Sequence, residues 1–484
     1  MESYDVVIVG AGPAGIFCAL ELVEKRPDLS ILMVEKGADI DHRSCPLQVR
    51  KTGCSRCAPC FTLSGWGGAG AFSDGKLTLT TDVGGWLHEY VGRAGLAQLI
   101  DEVDQVYLRF GAPPLVYGTD DKVFRELQRQ AATADLTLIP TRVRHLGTDR
   151  CYEILKAMKE FLVSRGVAVR TLTKVEEILV EPPAGQGTGR EGAGGDAGTR
   201  RVWGVRLSRG GEVRARTVVV VPGRDGSEWF TDQAKALGLV LSNNPVDIGV
   251  RVEIPAVVME HLTDHLYESK LIYYSKSFDD QVRTFCMCPN GEVVVENSGG
   301  LITVNGHSWA EARTENTNFA LLVSKTFTEP FNQPLAYGKY IATLANMLGG
   351  GAIVQRLGDL VAGRRSTERR LQRGMVQPTL EDATPGDLSL VLPYRHLISI
   401  LEMLEALDKV APGVNSRHTL LYGVEVKFYS QRMDLSGDLE TKVRGLFAAG
   451  DGAGVTRGLV QASASGVHVA RAVGRRLEQQ PRNP

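Results

Sequence analysis

The chain has 484 residues, with 55 Lys and Arg against 56 Asp and Glu for a formal net charge of −1, and 43% of its residues are hydrophobic. That length allows roughly three domain-sized units with a large buried core. The neutral balance supplies no field to hold a nucleic-acid backbone, and no apolar run approaches the roughly 18 residues that a membrane span needs. Neither nucleic-acid binding nor a membrane span is expected. The N-terminal MESYD leads into an apolar stretch broken by glycines and has no basic n-region of a signal peptide, so a cytoplasmic location is expected. Glycine is in excess, at 54 residues or about 11% against a usual value of about 7%.

Residues 4–9 (YDVVIV) form a β-branched run, 13–25 carry apolar residues at helical spacing, and 31–35 (ILMVE) form a second run, giving β-α-β at the start of an α/β protein. Amphipathic helices are predicted over 93–110 and 151–165, and strands over 167–171, 175–181, 201–207 and 212–221. Between the second and third of these strands, residues 182–199 hold seven glycines in 18 positions and read as a flexible hairpin tip. From 227 to 430 the pattern changes to α+β, with strands VDIGVRVEI, LIYYSK, VRTFCMC and EVVVE and helices NFALLVSKTF, KYIATLANML and LISILEMLEALDKV. Residues 445–450 then give a buried strand and 459–478 a long helix. The predicted organisation is a dinucleotide-binding domain split between 1–226 and 431–484, with a substrate domain inserted at 227–430.

Gly10, Gly12 and Gly15 form G-x-G-x-x-G, with Pro13 and Ala14 between the last two, directly after a strand and at the start of a helix. The first glycine makes the turn, the second lets a pyrophosphate approach the backbone, and the third lets helix and strand pack, while the helix N-terminus offers free N–H groups to phosphate. Glu35 ends the second strand 20 residues beyond Gly15, followed by Lys36, and its carboxylate suits ribose hydroxyls and repels a 2′-phosphate, so FAD or NAD fits better than NADP. Residues 65–77 (GWGGAGAFSDGKL) carry five glycines, a backbone able to lie against a flat ligand, with Trp66 and Phe72 arguing against a linker. At 446–454 (LFAAGDGAG) a strand ends at Gly450 and Asp451, whose carboxylate can bind a polyol hydroxyl. The helix that follows would aim its positive end at the pyrimidine edge of a reduced flavin, favouring FAD.

Together these motifs resemble the glutathione-reductase-type FAD fold, with the return strand at 218–226 (VVVVPGRDG). More narrowly, GAGPAG, CPLQ with three further cysteines, GWGGAGAFSDGKL, VRTFCMCPNGEVVVEN, GGGAIVQRLGDL and LVLPYR resemble the bacterial and archaeal family of FAD-dependent dehydrogenases, over essentially the whole chain. The resemblance implies a Rossmann-like FAD-binding domain with an inserted α+β substrate domain. It implies the ADP half on Gly10, Gly12, Gly15 and Glu35. Gly68, Ala69, Gly70, Ser73 and Gly75 would lie along the pyrophosphate and flavin, Val175 near the adenine, Gly223 in the return loop, Asp451 at the ribityl chain, and Gly458, Leu459 and Val460 at the pyrimidine edge.

Cys45, Cys54, Cys57 and Cys60 are spaced C-x8-C-x2-C-x2-C, and three readings stay open for them: ligands of Zn or an iron–sulfur cluster, a redox-active thiol pair, or thiols packed beneath the glycine loop. Cys286 and Cys288 alternate on a predicted strand and share one face, either as active-site thiols or as small core residues. Tyr273, Lys276, Arg283, His307 and His396 are further polar candidates for proton transfer. The expected function is FAD-dependent oxidation or reduction of an unidentified small molecule, with NAD(P)H only as a transient donor because one dinucleotide fingerprint is visible. The alternative is an electron-transfer flavoprotein with a Cys-ligated cluster or zinc and an electron-transfer protein as partner.

Overall fold

The computed structural model describes residues 1–46, 55, 57–73, 75–181, 200–298, 300–309, 313–328, 330–331, 333–429 and 431–479. The hairpin tip predicted at 182–199 lies outside these residues.

The chain opens with β1 (Glu2–Val9), α1 (Pro13–Lys25) and β2 (Ile31–Val34), followed by β3 (Lys76–Thr78), α2 (His88–Arg109), α3 (Asp121–Thr133), β4 (Thr137–Ile139), β5 (Val143–His145), α4 (Thr148–Ser164), β6 (Ala168–Arg170), β7 (Val175–Val180), β8 (Val202–Leu207) and β9 (Gly211–Val220). β1 pairs in parallel with β2 on one side and β9 on the other, and β2 pairs in parallel with β6. Val6, Val7 and Ile8 are fully buried, because a parallel sheet is covered on both faces, and each such side chain contributes about 1.5–3 kcal/mol. β9 is long: its first half joins the antiparallel β7–β8–β9 meander, and its second half pairs with a strand that returns from the far end of the chain.

The inserted unit starts later than its sequence suggests. Helix α5 (Ser227–Ala236) buries Phe230 and Ala234 in the first core, and only after β10 (Leu241–Ser242) does the chain leave it. It then forms β11 (Val246–Pro255), α6 (Glu260–Leu266), β12 (Lys270–Tyr274), β13 (Gln281–Cys288), β14 (Glu292–Ser298), β15 (Leu301–His307), β16 (Asn316–Lys325), α7 (Pro334–Gly349), β17 (Ile353–Arg356), α8 (Leu357–Val361), α9 (Glu368–Gln372), β18 (Thr384–Pro385), α10 (Tyr394–Asp408) and β19 (Leu420–Lys427). β20 (Arg432–Met433) closes the insertion by pairing antiparallel with β10. β21 (Leu446–Ala448) adds to β9, and α11 (Leu459–Glu478) completes the first domain.

Among the described residues the second sheet runs β18-β17-β19-β11-β16-β13-β12-β4. Its edge strand β4 comes from residues 137–139, so this N-terminal segment and α3, which buries Leu127 and Ala131 in the second core, belong to the inserted unit although they precede it in sequence. Residues 318–327, predicted as a helix, lie largely in β16, a central strand. A strand buried on both faces reads as a continuous apolar run, and periodicity alone does not separate that from a buried helix.

β11 shows what this sheet does for the site. Val246, Ile248, Val250, Val252 and Ile254 point into the apolar core beside α7 and α10. The alternate residues Asp247, Arg251 and Glu253 face the other way and are still 0% exposed: the β14–β15 hairpin covers Arg251, where a Cβ at Gly306 would collide with its guanidinium, while Arg283 and Tyr429 close on Asp247 and Thr379 and Tyr422 on Glu253.

Candidate functional site

Strand β1 ends at Val9, and the chain turns at Gly10, whose φ of +112° and whose contact with the Val221 carbonyl exclude a side chain. Gly15 packs against the Gly10 carbonyl, which lets α1 lie close on the sheet. Gly12 differs from both. A Cβ there would meet only the Gly68 Cα at 3.9 Å, so its missing side chain leaves open space above the N-terminus of α1, which begins at Pro13 with no side-chain cap.

The glycine loop is built onto this turn. Gly67 donates its N–H to the Ala11 carbonyl (2.8 Å), and residues 68–72 form a short 3-10 helix containing Ala69. Trp66 anchors the loop, fully buried with its Nε1 donating to Leu155 O at 2.9 Å. Arg43 draws it inward by donating to Trp66 O (2.6 Å) and Gly68 O (2.7 Å), and burial lowers this guanidinium to a pKa of about 10. Ser73 shapes the loop from within, donating to Gly70 O (2.9 Å) and accepting from Gly75 N (3.1 Å). At Gly70 a Cβ would lie 2.6 Å from Leu459 and 3.7 Å from Pro13, so the N-termini of α11 and α1 converge on residues 68–70. Helix α11 reaches α1 through small residues: Gly466 packs on the Ala14 carbonyl, and Gly450 lies beside Ala14. Its own N-terminus, at Gly458, Leu459 and Val460, also lacks a side-chain cap.

Glu35 is buried, and its carboxylate accepts from the N–H groups of Ala11 (3.0 Å), Gly37 (2.8 Å) and Gly65 (3.0 Å). It therefore ties the dinucleotide turn to the glycine loop, and further acceptor sites remain on a carboxylate for ribose hydroxyls. Lys36 pairs with Asp225 (2.6 Å), which also accepts from Ser64. Val175 opens β7, two residues past Thr173, whose N–H donates to the Glu35 carbonyl. Asp451 accepts from Thr456 Oγ1 (2.8 Å) and Gly458 N (3.2 Å), and burial raises its pKa against the pull of Arg224. Gly452 packs on Gly223, which brings the return loop against this turn.

Beyond the glycine loop the same chain segment reaches the second sheet. Lys76, at the start of β3, donates to Met287 O (2.5 Å) and lies 3.7 Å from Cys286 Sγ and 3.9 Å from Cys288 Sγ. The register of β13 shifts between Phe285 and Cys288, and Cys286 takes a φ of +44° at this bulge. Arg251 donates to Cys286 O (2.6 Å), Cys288 Sγ (3.2 Å) and Asn318 Oδ1 (2.7 Å), and pairs with the fully buried Glu425 (3.4 Å). Cys288 is buried and Cys286 partly exposed. Burial and the hydrogen bond with Cys286 push the Cys288 thiol up, while Lys76 and Arg251 pull the other way.

Arg224 links this cluster to the cradle, because Glu296, Asp451, Tyr429 and Cys286 all act on it electrostatically. Trp86, Arg224, Asn244, Tyr429, Asp451 and Arg457 line a cavity there. Arg457 stacks 3.3 Å from the Tyr429 ring centroid and 4.2 Å from that of Trp86, and its Nε and Nη2 find no partner among the described residues. The glycines of the first half were legible in sequence as a spaced motif. Lys76, Arg224, Arg251 and Arg457 were missed, although Lys76 lies within the quoted GWGGAGAFSDGKL run and Arg224 sits in the return loop.

Two predicted groups sit elsewhere. Lys276 is in the turn between β12 and β13, its side chain 69% exposed and paired with Asp135 at 3.4 Å, at the end of the hairpin opposite the cysteines. It is a surface residue, in the turn at the far end of β13 from the bulge where Lys76 meets the sheet. Cys54 lies outside the described residues. Cys45, Cys57 and Cys60 are partly buried free thiols, and among the described residues no three His, Cys, Asp or Glu side chains gather as a metal site. Of the other polar candidates, Arg283 pairs with Asp247, Tyr273 is core, and His396 is buried with neither ring nitrogen partnered among the described residues. No helix among the described residues is long and apolar enough to cross a membrane.

The sheet, the glycine turn and the paired helix N-termini define a dinucleotide-binding protein with an inserted second domain. Residues 245–428 match the family described as FAD-dependent protein, C-terminal domain-like, and residues 5–49 match the lycopene cyclase protein family. The family matched over residues 245–428 is one of FAD-dependent proteins, which points to FAD as the cofactor. An uncharacterized protein of Clostridium beijerinckii is 27% identical over 96% of this chain and 79% of its own length. Solved structures similar to the chain include L-proline dehydrogenase from P. horikoshii (11% identity, TM-score 0.42, 98% of this chain and 94% of that one) and glycine oxidase from Geobacillus kaustophilus (13%, 0.40, 98% and 95%).

Proposed function

We propose that this chain is an enzyme that moves electrons between bound FAD and a small organic substrate held where the polar face of the second sheet meets the glycine loop. The observation that carries this reading is the convergence of two uncapped helix N-termini, at Pro13 and Leu459, on Gly68 and Gly70, with open space above Gly12. Such a cradle fits a ligand with a pyrophosphate at one end and a ring able to carry negative charge at the other. Bound FAD supplies hydride-transfer chemistry.

The chain's own residues supply binding, orientation and charge. Gly12 and the first N–H groups of α1 would hold the pyrophosphate, Glu35 the ribose and Asp451 the ribityl hydroxyls, with Leu459 and Val460 at the pyrimidine edge. Arg457, held rigid by Trp86 and Tyr429, presents buried N–H donors in the cavity beside Asp451. The β14–β15 hairpin excludes water from Arg251 and its neighbours. With one dinucleotide turn in the chain, a nicotinamide donor would bind transiently if at all.

The test is the ultraviolet–visible spectrum of anaerobically purified protein, with flavin extracted and counted and iron and zinc measured on the same sample. About one FAD per chain, reducible by a small-molecule or nicotinamide donor, supports the reading. A chain that holds no flavin, and takes up none when supplied with FAD, sinks it.

A further inference from the structure

Resting on that reading and naming the substrate class of the same site, we propose that Cys286 and Cys288 are a redox-active dithiol that exchanges electrons with small-molecule thiols and disulfides. The pair sits where the glycine loop delivers Lys76 onto the second sheet, with that ammonium within 3.9 Å of both sulfurs and the Arg251 guanidinium 3.2 Å from the second. Cations at this range stabilise a thiolate, the reactive form of cysteine. Two cysteines packed only as core residues would draw no such charges; Cys18, buried in α1, has the acidic Glu21 as its charged neighbour.

The backbone between them is not that of a regular strand. Two residues apart on a regular strand, Cα atoms span about 6.7 Å, the upper edge of what a disulfide bridges. The bulge with Cys286 at φ +44° kinks the strand between them and breaks that regular span. The two thiols are also unequal. Cys286 is partly exposed and is the attacking group, whereas Cys288, 0% exposed, is shielded until the first has reacted.

The exchange balances without another reagent. The Cys286 thiolate attacks one sulfur of a disulfide RSSR, the S–S bond breaks, and one RS⁻ leaves and takes up the proton that Cys286 lost. The Cys288 sulfur then attacks the Cys286 sulfur of the mixed disulfide, and the second RS⁻ leaves with the Cys288 proton. In sum, RSSR and two protein thiols give two RSH and one protein disulfide. Arg224, which feels the charge of Cys286, lines the same cavity as Asp451.

The test uses the holoprotein and oxidised glutathione as probe. The protein is reduced with a phosphine, desalted, exposed to the probe, quenched in acid, alkylated and cut with trypsin, which leaves both cysteines alone in the 284–313 fragment because Arg283 and Arg313 flank it. The expected fragment carries no alkyl group and is lighter by two hydrogens than the reduced one. Cys288→Ser should stop at a glutathione adduct on Cys286, and Lys76→Met should slow wild-type oxidation about tenfold. A wild-type fragment that is alkylated at both cysteines after prolonged exposure overturns the dithiol. Flavin absorbance on the same sample separates the two ideas: full alkylation in protein that holds FAD removes the dithiol and leaves the cofactor, while disulfide formation in protein without FAD supports the dithiol and removes the flavin reading.

Discussion

The glycine cradle and the polar face of the second sheet are both buried, but they are built from opposite materials. The cradle is backbone: Gly10, Gly15 and Gly466 are glycine because neighbouring carbonyls occupy the space of a Cβ, and its ligand-binding capacity lies in N–H groups and absent side chains. The polar face is side chain: Arg251, Glu425, Asp247, Arg283 and Lys427 pair with one another at little or no exposure. A backbone site is specified by local spacing and tolerates its surroundings. A site of buried charges exists only when every partner arrives from its own strand, and removing one leaves the other unpaired in a poor solvent for ions.

That contrast predicts where the molecule breaks. Arg251→Ala leaves Glu425 with Lys427 as its remaining cation and strips the Asn318 side-chain oxygen and the Cys286 carbonyl of a buried donor, and should cost about 3 kcal/mol in a denaturant titration; a loss below about 1 kcal/mol would mean that the face is hydrated and the comparison false.

His396 offers a second probe of unbalanced burial. Burial, with Lys325 adding to it, lowers its pKa from 6.5 to about 4. The unfolded chain therefore binds a proton at a pH where the folded chain does not. Stability is full above about pH 6.5 and falls as pH drops towards 4, by up to about 3 kcal/mol. Thermal melts between pH 7 and 4.5 should show a shallower acid loss in His396→Phe than in the natural chain.

Within the cradle, Gly12→Ala and Gly15→Ala should separate ligand space from packing space. Gly12→Ala should fold with an unchanged melting temperature and bind FAD about 100-fold more weakly, about 2.7 kcal/mol, because its methyl enters only the open space. Gly15→Ala should lower the melting temperature even without flavin, since its methyl meets the Gly10 carbonyl. Titration of apoprotein with FAD, alongside melts of the same samples, reads both. The smallest effect is expected at Lys276→Ala, within about 0.5 kcal/mol in stability and unchanged in flavin content or rate, because its ion pair with Asp135 is exposed.

Sequence reading recovered the elements that carry the dinucleotide turn and its return: α1 at 13–25, the strands on either side, and α11 at 459–478. The two helices are announced by Pro13 and Gly458 at their starts, and each element by a run whose period matches its structure. It did less well inside the insertion. Residues 318–327 looked helical, 227–239 turned out to pack in the first core, and 121–139 turned out to serve the second sheet. In each case the partner that decides the structure lies far along the chain, as β16 does from β13 and β11.

The sequence by itself determined the dinucleotide turn, the glycine loop and the class of cofactor, because those depend on φ angles and steric room that glycine spacing encodes directly. Tertiary structure decided the chemistry around them. In β11 the alternation of apolar and charged residues is that of a strand with one face in water, and only distant segments, the β14–β15 hairpin over Arg251, Tyr429 on Asp247 and Thr379 on Glu253, turn these into buried groups. Lys76 and Cys286 are 210 residues apart, a separation at which no local pattern carries information, and the loop that begins on Gly10's turn and ends on the second sheet is what makes them neighbours.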